Sequence, residues 1–278
     1  MPTVKRLIAE NNDFQYAETL RRNRTKRHKN HEFFLEGVRP INQALAHGWR
    51  VNAFLYTRER RLSGWAEDVL ARSQARVHFE LPAALMAKLS GKTEPSELIA
   101  LVAMPDDDLA RIPVHDAMCV IVCDRPASPG NLGSIIRSCD ALAADGVIVT
   151  GHAVDVYDPE TISATTGSLF ALPVVRLGGP PDVETWLTRV RARLGGLRVV
   201  GSDERGTVDV DAYDFSQPTV LIVGNETWGM SAAYQALCDT VLRIPIAGSA
   251  SSLNVANATS IILYERDRQR RQARLEAG

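Results

Sequence analysis

The chain has 278 residues, 45% hydrophobic and 23% charged, with a formal net charge of −1, a globular profile with room for two domains. No apolar run reaches about 18 residues, so no membrane span is expected, and Met1-Pro2-Thr3-Val4-Lys5-Arg6 shows no apolar stretch of the kind a secretory signal carries. Cys119, Cys123, Cys139 and Cys238 lack CxxC spacing, so buried thiols in a reducing cytoplasm are expected, with neither metal nor disulfide.

The small net charge hides an asymmetry. Residues 1–115 carry 18 Lys+Arg against 14 Asp+Glu, a net of +4, while the remainder carries 14 against 19, a net of −5. All five lysines lie in the first part. A basic first part suits a polyanion, and the acidic remainder suits a different task. The densest basic stretch is Arg21-Arg22-Asn23-Arg24-Thr25-Lys26-Arg27-His28-Lys29, six cations in nine residues with no acid among them. Arg21, Arg22, Arg24, Lys26, Arg27 and Lys29 are therefore candidate RNA phosphate contacts. The alternative is a solvated helix face.

In chain order, His31–Gly37 reads as a short apolar strand and Val38–His47 as a helix with one apolar face. Val51–Tyr56 is a strand, Ser63–Arg72 a helix, Ala75–Phe79 a strand, Pro82–Leu89 a short helix and Leu98–Val102 a last strand. This makes a small α/β domain over 1–104. The polar, proline-flanked stretch 105–115 reads as a linker. A strict β/α alternation fills 116–278. Strands are expected at Met118–Cys123, Gly146–Thr150, Leu172–Arg176, Leu197–Gly201, Thr219–Val223 and Thr240–Ile244. Helices are expected at Leu132–Ala143, Pro159–Thr166, Val183–Leu194, Ser231–Leu237 and Leu253–Arg271. Runs such as Val120-Ile121-Val122 and Leu221-Ile222-Val223 are apolar on both sides, the signature of a covered parallel sheet. The arginine-rich end, Arg266 to Arg274, reads as a solvated helix end or an RNA contact.

Three stretches carry candidate chemistry. The first strand feeds Ser128-Pro129-Gly130-Asn131-Leu132-Gly133-Ser134-Ile135-Ile136-Arg137. Asn131 is placed to cap a helix, and Arg137 lies six residues on, about one and two-thirds turns away. The second stretch is Gly224-Asn225-Glu226-Thr227-Trp228-Gly229 after an apolar strand. There Gly224 would let a ligand approach the backbone, and Glu226 sits at the carboxyl edge of the sheet, where α/β proteins bind ligands. In the third, Ile244-Pro245-Ile246 leads through small residues to Ser252-Leu253-Asn254 and a helix start rich in free N–H groups. No GxGxxG or Walker A sequence is present, which argues against a dinucleotide enzyme.

Asn131-x-Gly133-x-x-x-Arg137, Gly224-Asn225-Glu226-x-x-Gly229 and Ser252-Leu253-Asn254-Val255, in this order, resemble the three motifs of the SpoU (TrmH-type) RNA 2′-O-ribose methyltransferases of the SPOUT superfamily. Ser128 departs from the Asp more usual before that proline, and Trp228 stands where an acidic or small residue is common. The order of strands and helices, with Phe34-Leu35-Glu36-Gly37-Val38-Arg39-Pro40-Ile41-Asn42-Gln43-Ala44-Leu45, resembles the L30e-like substrate-binding domain that precedes such catalytic domains.

The resemblance implies a parallel-sheet SPOUT domain with a deep trefoil knot and S-adenosylmethionine as cofactor. It also implies methyl transfer to a ribose 2′-OH of structured RNA, ribosomal RNA being favoured over transfer RNA, by a cytoplasmic homodimer with site residues contributed across its interface. Catalytic positions would be Asn131, Arg137, Glu226, Ser252 and Asn254, with Glu226 orienting Arg137 or the ribose. Cofactor positions would be Gly201, Ser202, Val223, Gly224, Ile244, Pro245, Ile246 and Leu253. A non-catalytic RNA-binding protein on the same scaffold is the rival reading. The presence of every motif residue argues against it.

Overall fold

The computed structural model describes residues 2–277. The chain forms two compact units. One runs to Pro105 and also takes in Tyr157–Phe170, and the other holds Asp106–Val156 and the chain from Ala171 onward. Residues 157–170, expected within the 116–278 domain, thus pack in the first unit.

The first unit contains β1 (Thr3–Arg6), α1 (Asn12–Arg22), α2 (Arg24–Asn30), β2 (Glu32–Glu36), α3 (Val38–Ala46), β3 (Val51–Tyr56), α4 (Gly64–Arg72), β4 (Val77–Glu80), α5 (Ala83–Leu89) and β5 (Leu98–Ala103). Its sheet has the order β1-β4-β3-β5-β2, with β5 antiparallel to both neighbours and the other pairs parallel. Phe14, Ala17 and Leu20 recur every three residues and bury one face of α1 against Phe34, Leu55 and Leu101. Phe33 stacks with Tyr157 and Phe170 from the later segment, and Trp49 Nε1 donates to the Phe170 carbonyl at 3.1 Å.

Two members of the basic run are structural. The chain breaks at Asn23, whose side chain accepts from Lys26 N at 3.0 Å, so the run straddles two helices. Arg27 is only 2% exposed. Its Nη1 donates to the carbonyls of Leu20 and Arg21 at 3.0 and 2.8 Å, and its Nη2 pairs with Asp158 at 3.1 Å. A cation there satisfies carbonyls left over at the end of α1. Arg21 likewise donates to Leu89 O and Ser90 O. Arg22, Arg24, Lys26 and Lys29 are exposed.

The remaining elements are β6 (Cys119–Asp124), α6 (Pro129–Ala141), β7 (Gly146–Thr150), α7 (Pro159–Thr165), β8 (Val174–Leu177), α8 (Pro180–Arg193), β9 (Arg198–Ser202), β10 (Val208–Asp209), β11 (Thr219–Val223), α9 (Ala232–Leu237), β12 (Thr240–Arg243) and α10 (Val255–Ala277). All but α7 belong to the second unit. Its seven strands are all parallel, in the order β10-β12-β9-β11-β6-β7-β8. Every residue of β6 and β11 is buried, as the continuous apolar runs require. Val120, Val122, Val199, Val220 and Ile222 pack on Val183, Trp186, Leu187 and Val190 of α8. Burial pushes the Cys119 and Cys123 thiols up to about 11 and about 12, leaving them inert at neutral pH.

The helix α10 extends past the expected Arg271. Arg266 is buried, and both Arg266 and Arg270 donate to the Ala117 carbonyl, at 2.7 and 2.5 Å. Arg266 and Arg270 thus anchor the helix, while Arg268, Arg271 and Arg274 are exposed, as a solvated helix end requires.

Candidate active site

Strand order explains how distant motifs meet. The strands β6 and β11 are neighbours in parallel register, Val223 opposite Cys123, so the loops leaving their carboxyl ends run side by side. Strand order also reverses here: the chain steps outward from β6 to β7 and β8, then returns to build β11, β9 and β12 on the other side. Such a switch point is where open α/β sheets bind ligands.

The loop after β6 is set by Asp124, a buried carboxylate. It accepts Arg125 Nε and Nη2 at 2.7 and 2.9 Å and Ser231 N at 2.8 Å. Arg125 adopts a left-handed φ of 50°. Gly151 leaves room for it, since a Cβ there would lie 2.7 Å from Arg125 Cγ. Ser128 then caps α6 by accepting from Asn131 N at 3.3 Å, with Pro129 at the first helical position. The expectation that Asn131 caps this helix is corrected: its side chain is released for other bonds.

The loop after β11 is a closed turn. Asn225 and Gly229 exchange both backbone hydrogen bonds, at 3.0 and 2.9 Å. Asn225 Oδ1 accepts from Thr227 N and Trp228 N, and its Nδ2 donates to Arg125 O at 2.7 Å. Gly229 supplies the positive φ of 66°. A Cβ on Gly224 would meet Met230 N at 2.2 Å, so the missing side chain here makes room for the chain's own turn. Gly201 is similar, with Met230 Cε 2.6 Å from where its Cβ would lie.

Glu226 closes the assembly. Its Oε2 accepts Ala127 N at 2.8 Å, and its Oε1 accepts Ser128 N and Asn131 Nδ2, both at 3.0 Å. Asn131 Oδ1 in turn accepts Asn254 Nδ2 at 3.0 Å, and Asn254 Oδ1 caps α10 by accepting Ala256 N at 2.9 Å. One side-chain relay therefore joins all three motifs. Partial burial pushes the Glu226 carboxyl up, but the hydrogen bonds from Ala127, Asn131 and Ser128 outweigh it and hold the carboxyl below its usual value.

The relay borders a cleft of about 770 Å³ at the carboxyl ends of β9, β11 and β12. Of the expected cofactor positions, Ser202, Val223, Gly224, Ile244, Ile246 and Leu253 line it, whereas Gly201 and Pro245 do not. Glu226, Ser252 and Asn254 line it too, and Asn131 is tied to it through Glu226 and Asn254. Leu253 lies ahead of α10 and is 39% exposed, so it is a cleft residue without a core role. Arg137 is exposed on α6 and outside the lining. It has no hydrogen bond or ion pair among the described residues, and Glu226, engaged elsewhere, does not orient it. Sequence alone assigns no role to Asp124, to Asn225 or to the lining carboxylates Asp203 and Glu204.

The SpoU rRNA Methylase family model matches residues 118–264, and the SpoU L30e-like domain model matches residues 11–100. This chain belongs to the SpoU family. A 23S rRNA (uridine(2479)-2′-O)-methyltransferase of Streptomyces viridochromogenes is 49% identical over 97% of this chain and 94% of its own length. The crystal structure of the SpoU methyltransferase AviRb from the same organism, in complex with AdoMet, superposes with a TM-score of 0.88 at 50% identity, covering 94% of this chain and 98% of AviRb. An AdoMet-bound rRNA methyltransferase from Sinorhizobium meliloti gives a TM-score of 0.83 at 30% identity, covering 95% and 98%. Asn131, Arg137, Glu226, Ser252 and Asn254 all lie within the stretch that the SpoU family model matches.

Proposed function

We propose that this SpoU methyltransferase moves the methyl group of S-adenosylmethionine to a ribose 2′-OH of ribosomal RNA, in the cytoplasm and as a homodimer. The observation that carries this reading is the Glu226–Asn131–Asn254 relay, which joins the three motifs beside one strand-end cleft. Relatives that act on 23S rRNA favour ribosomal over transfer RNA.

The cleft suits the cofactor in size and chemistry. Its volume falls in the range for small-molecule sites. Val223, Ile244, Ile246 and Leu253 would offer apolar contact to a flat adenine, and the lining carboxylates Asp203 and Glu204 would favour a cationic sulfonium in this cleft. Once bound, S-adenosylmethionine supplies an electrophilic methyl. The chain's part is to hold the ribose in line with it and to stabilise charge on the 2′-oxygen as its proton leaves. Glu226 is a positioning residue: its oxygens already accept three donors, and a carboxyl held low is a poor base. Ser252 and Asn254 line the cleft; Ser252 would contact the nucleotide and Asn254 would hold the relay beside it.

A guanidinium is too weak an acid to serve as a general base, so the role of Arg137 is electrostatic. Its exposure away from its own chain's cleft supports a site completed across a dimer, with the Arg137 guanidinium meeting the 2′-oxygen or its phosphate in the second copy's cleft. Exposed Arg22, Arg24, Lys26 and Lys29 neutralise RNA phosphates. The family's trefoil knot forms part of the reading. The loop after β9 crosses β12 closely, with Asp203 N and Thr207 N donating to Leu242 O and Val241 O at 3.0 Å each, and Gly206 packed against the Leu242 backbone. Calorimetric titration tests the cofactor assignment: S-adenosylmethionine binds and NAD does not, and the reverse would overturn it.

A further inference from the structure

Trp228 has no role in the relay, yet the turn presents it with unusual firmness. The side chain lines the cleft rim and is 78% exposed, more than any other Trp, Tyr or Phe among the described residues. Its backbone is fixed on all sides. Its own N–H is held by Asn225 Oδ1 at 3.1 Å, the turn is closed by the Asn225–Gly229 pair, and Glu226, two residues earlier, is bonded to the α6 loop. An indole left in water forgoes a large apolar gain. A rigid turn that holds it out costs little further entropy when a flat partner covers it.

We propose that the Trp228 indole is a stacking platform for the base of the nucleotide whose ribose enters the cleft. The inference rests on the ribose-methylation reading above. Exposed cations neutralise phosphates but leave a sugar free to rotate. A base seated on a fixed ring sets the height and tilt of its own ribose, and this turn ties that ring to Glu226. Unstacked bases of RNA loops are bound on aromatic faces in this way, with little dependence on base identity.

The test uses the full chain, ribosomal RNA from cells lacking the gene as substrate, and Trp228→Ala, Trp228→Phe and Trp228→Leu. The alanine variant should raise KM for RNA about tenfold and leave calorimetric S-adenosylmethionine affinity unchanged. Phenylalanine should recover most of the loss, and leucine, apolar but without a π face, should not. RNA should quench tryptophan fluorescence in the wild type and much less in Trp228→Phe. An unchanged KM in Trp228→Ala, or full recovery with leucine, overturns the proposal. So does a shift in cofactor affinity alone, which would make Trp228 a cofactor contact. Weakened self-association in sedimentation, with KM restored at high protein concentration, would make it an interface residue instead. Failure of the wild type to methylate this RNA while binding S-adenosylmethionine would overturn the functional reading itself.

Discussion

Asn131 donates Nδ2 to Glu226 Oε1 at 3.0 Å, and that single bond fixes the direction of the whole relay. A carboxylate only accepts, so the Asn131 amide must face it with nitrogen and turn its oxygen toward Asn254. Asn254 must then donate, which leaves its own oxygen to cap α10. Reversing any one amide places like groups together. Glu226→Gln should therefore be severe for a near-isosteric change, because its NH₂ confronts the N–H donors of the α6 loop. We expect kcat to fall about a hundredfold with cofactor affinity little altered, measured by single-turnover methylation and calorimetry.

Asn254→Ala removes a cap and a relay member together. Loss of the cap costs about 1 kcal/mol and lowers the melting temperature by about 3 °C. Asn254→Asp keeps the cap but faces Asn131 Oδ1 with an acceptor, so stability should largely return while activity does not. Thermal melts beside turnover assays separate the two effects.

The pH dependence has a definite sign. The Glu226 carboxyl is held below its unfolded value of 4.5, so the unfolded chain protonates first as the pH drops. Its stabilisation is complete above that value and is lost as pH falls through the lower, folded value. The melting-temperature gap between wild type and Glu226→Gln should be flat between about pH 5 and 8 and should shrink in more acidic buffer. A gap that widens on acidification would contradict the hydrogen-bond account.

Members of the basic run should behave in two ways. Arg27→Ala leaves the carbonyls of Leu20 and Arg21 and the Asp158 carboxylate without their partner, and should cost about 2 kcal/mol or more in denaturant unfolding. Lys26→Ala and Lys29→Ala should leave stability unchanged and reduce the salt slope of RNA binding by about one each.

Gly224→Ala tests the packing reading of that glycine. A methyl group 2.2 Å from Met230 N meets backbone that cannot turn aside, so the turn must open at a cost of about 3 kcal/mol. Activity, stability and cofactor affinity should fall together, whereas Glu226→Gln leaves cofactor affinity little altered.

Much of this architecture was legible in sequence. Apolar runs located β7 and β11 to the residue, because a fully covered strand needs apolar side chains on both faces. The motif residues were legible through their resemblance to the SpoU enzymes. Other features depend on partners distant in sequence. The strand β1, Thr3–Arg6, is an exposed edge with no alternation to read. The burial of Arg27 depends on how α1 ends. Residues 157–170 join the first unit through the rings of Tyr157 and Phe170, which no local pattern encodes. The Ser128 cap could have been read from Ser-Pro at a helix start, and that would have freed Asn131 for its place in the relay.

The central claim is methyl transfer to a single class of RNA atom, and nucleotide-resolution mapping of ribose methylation tests it most directly. Ribosomal RNA from cells lacking the gene should miss a 2′-O-methyl mark that purified wild-type protein and S-adenosylmethionine restore and that Glu226→Gln restores far more slowly. Unchanged ribose methylation on deletion, or a restored methyl group found on a base, would contradict it.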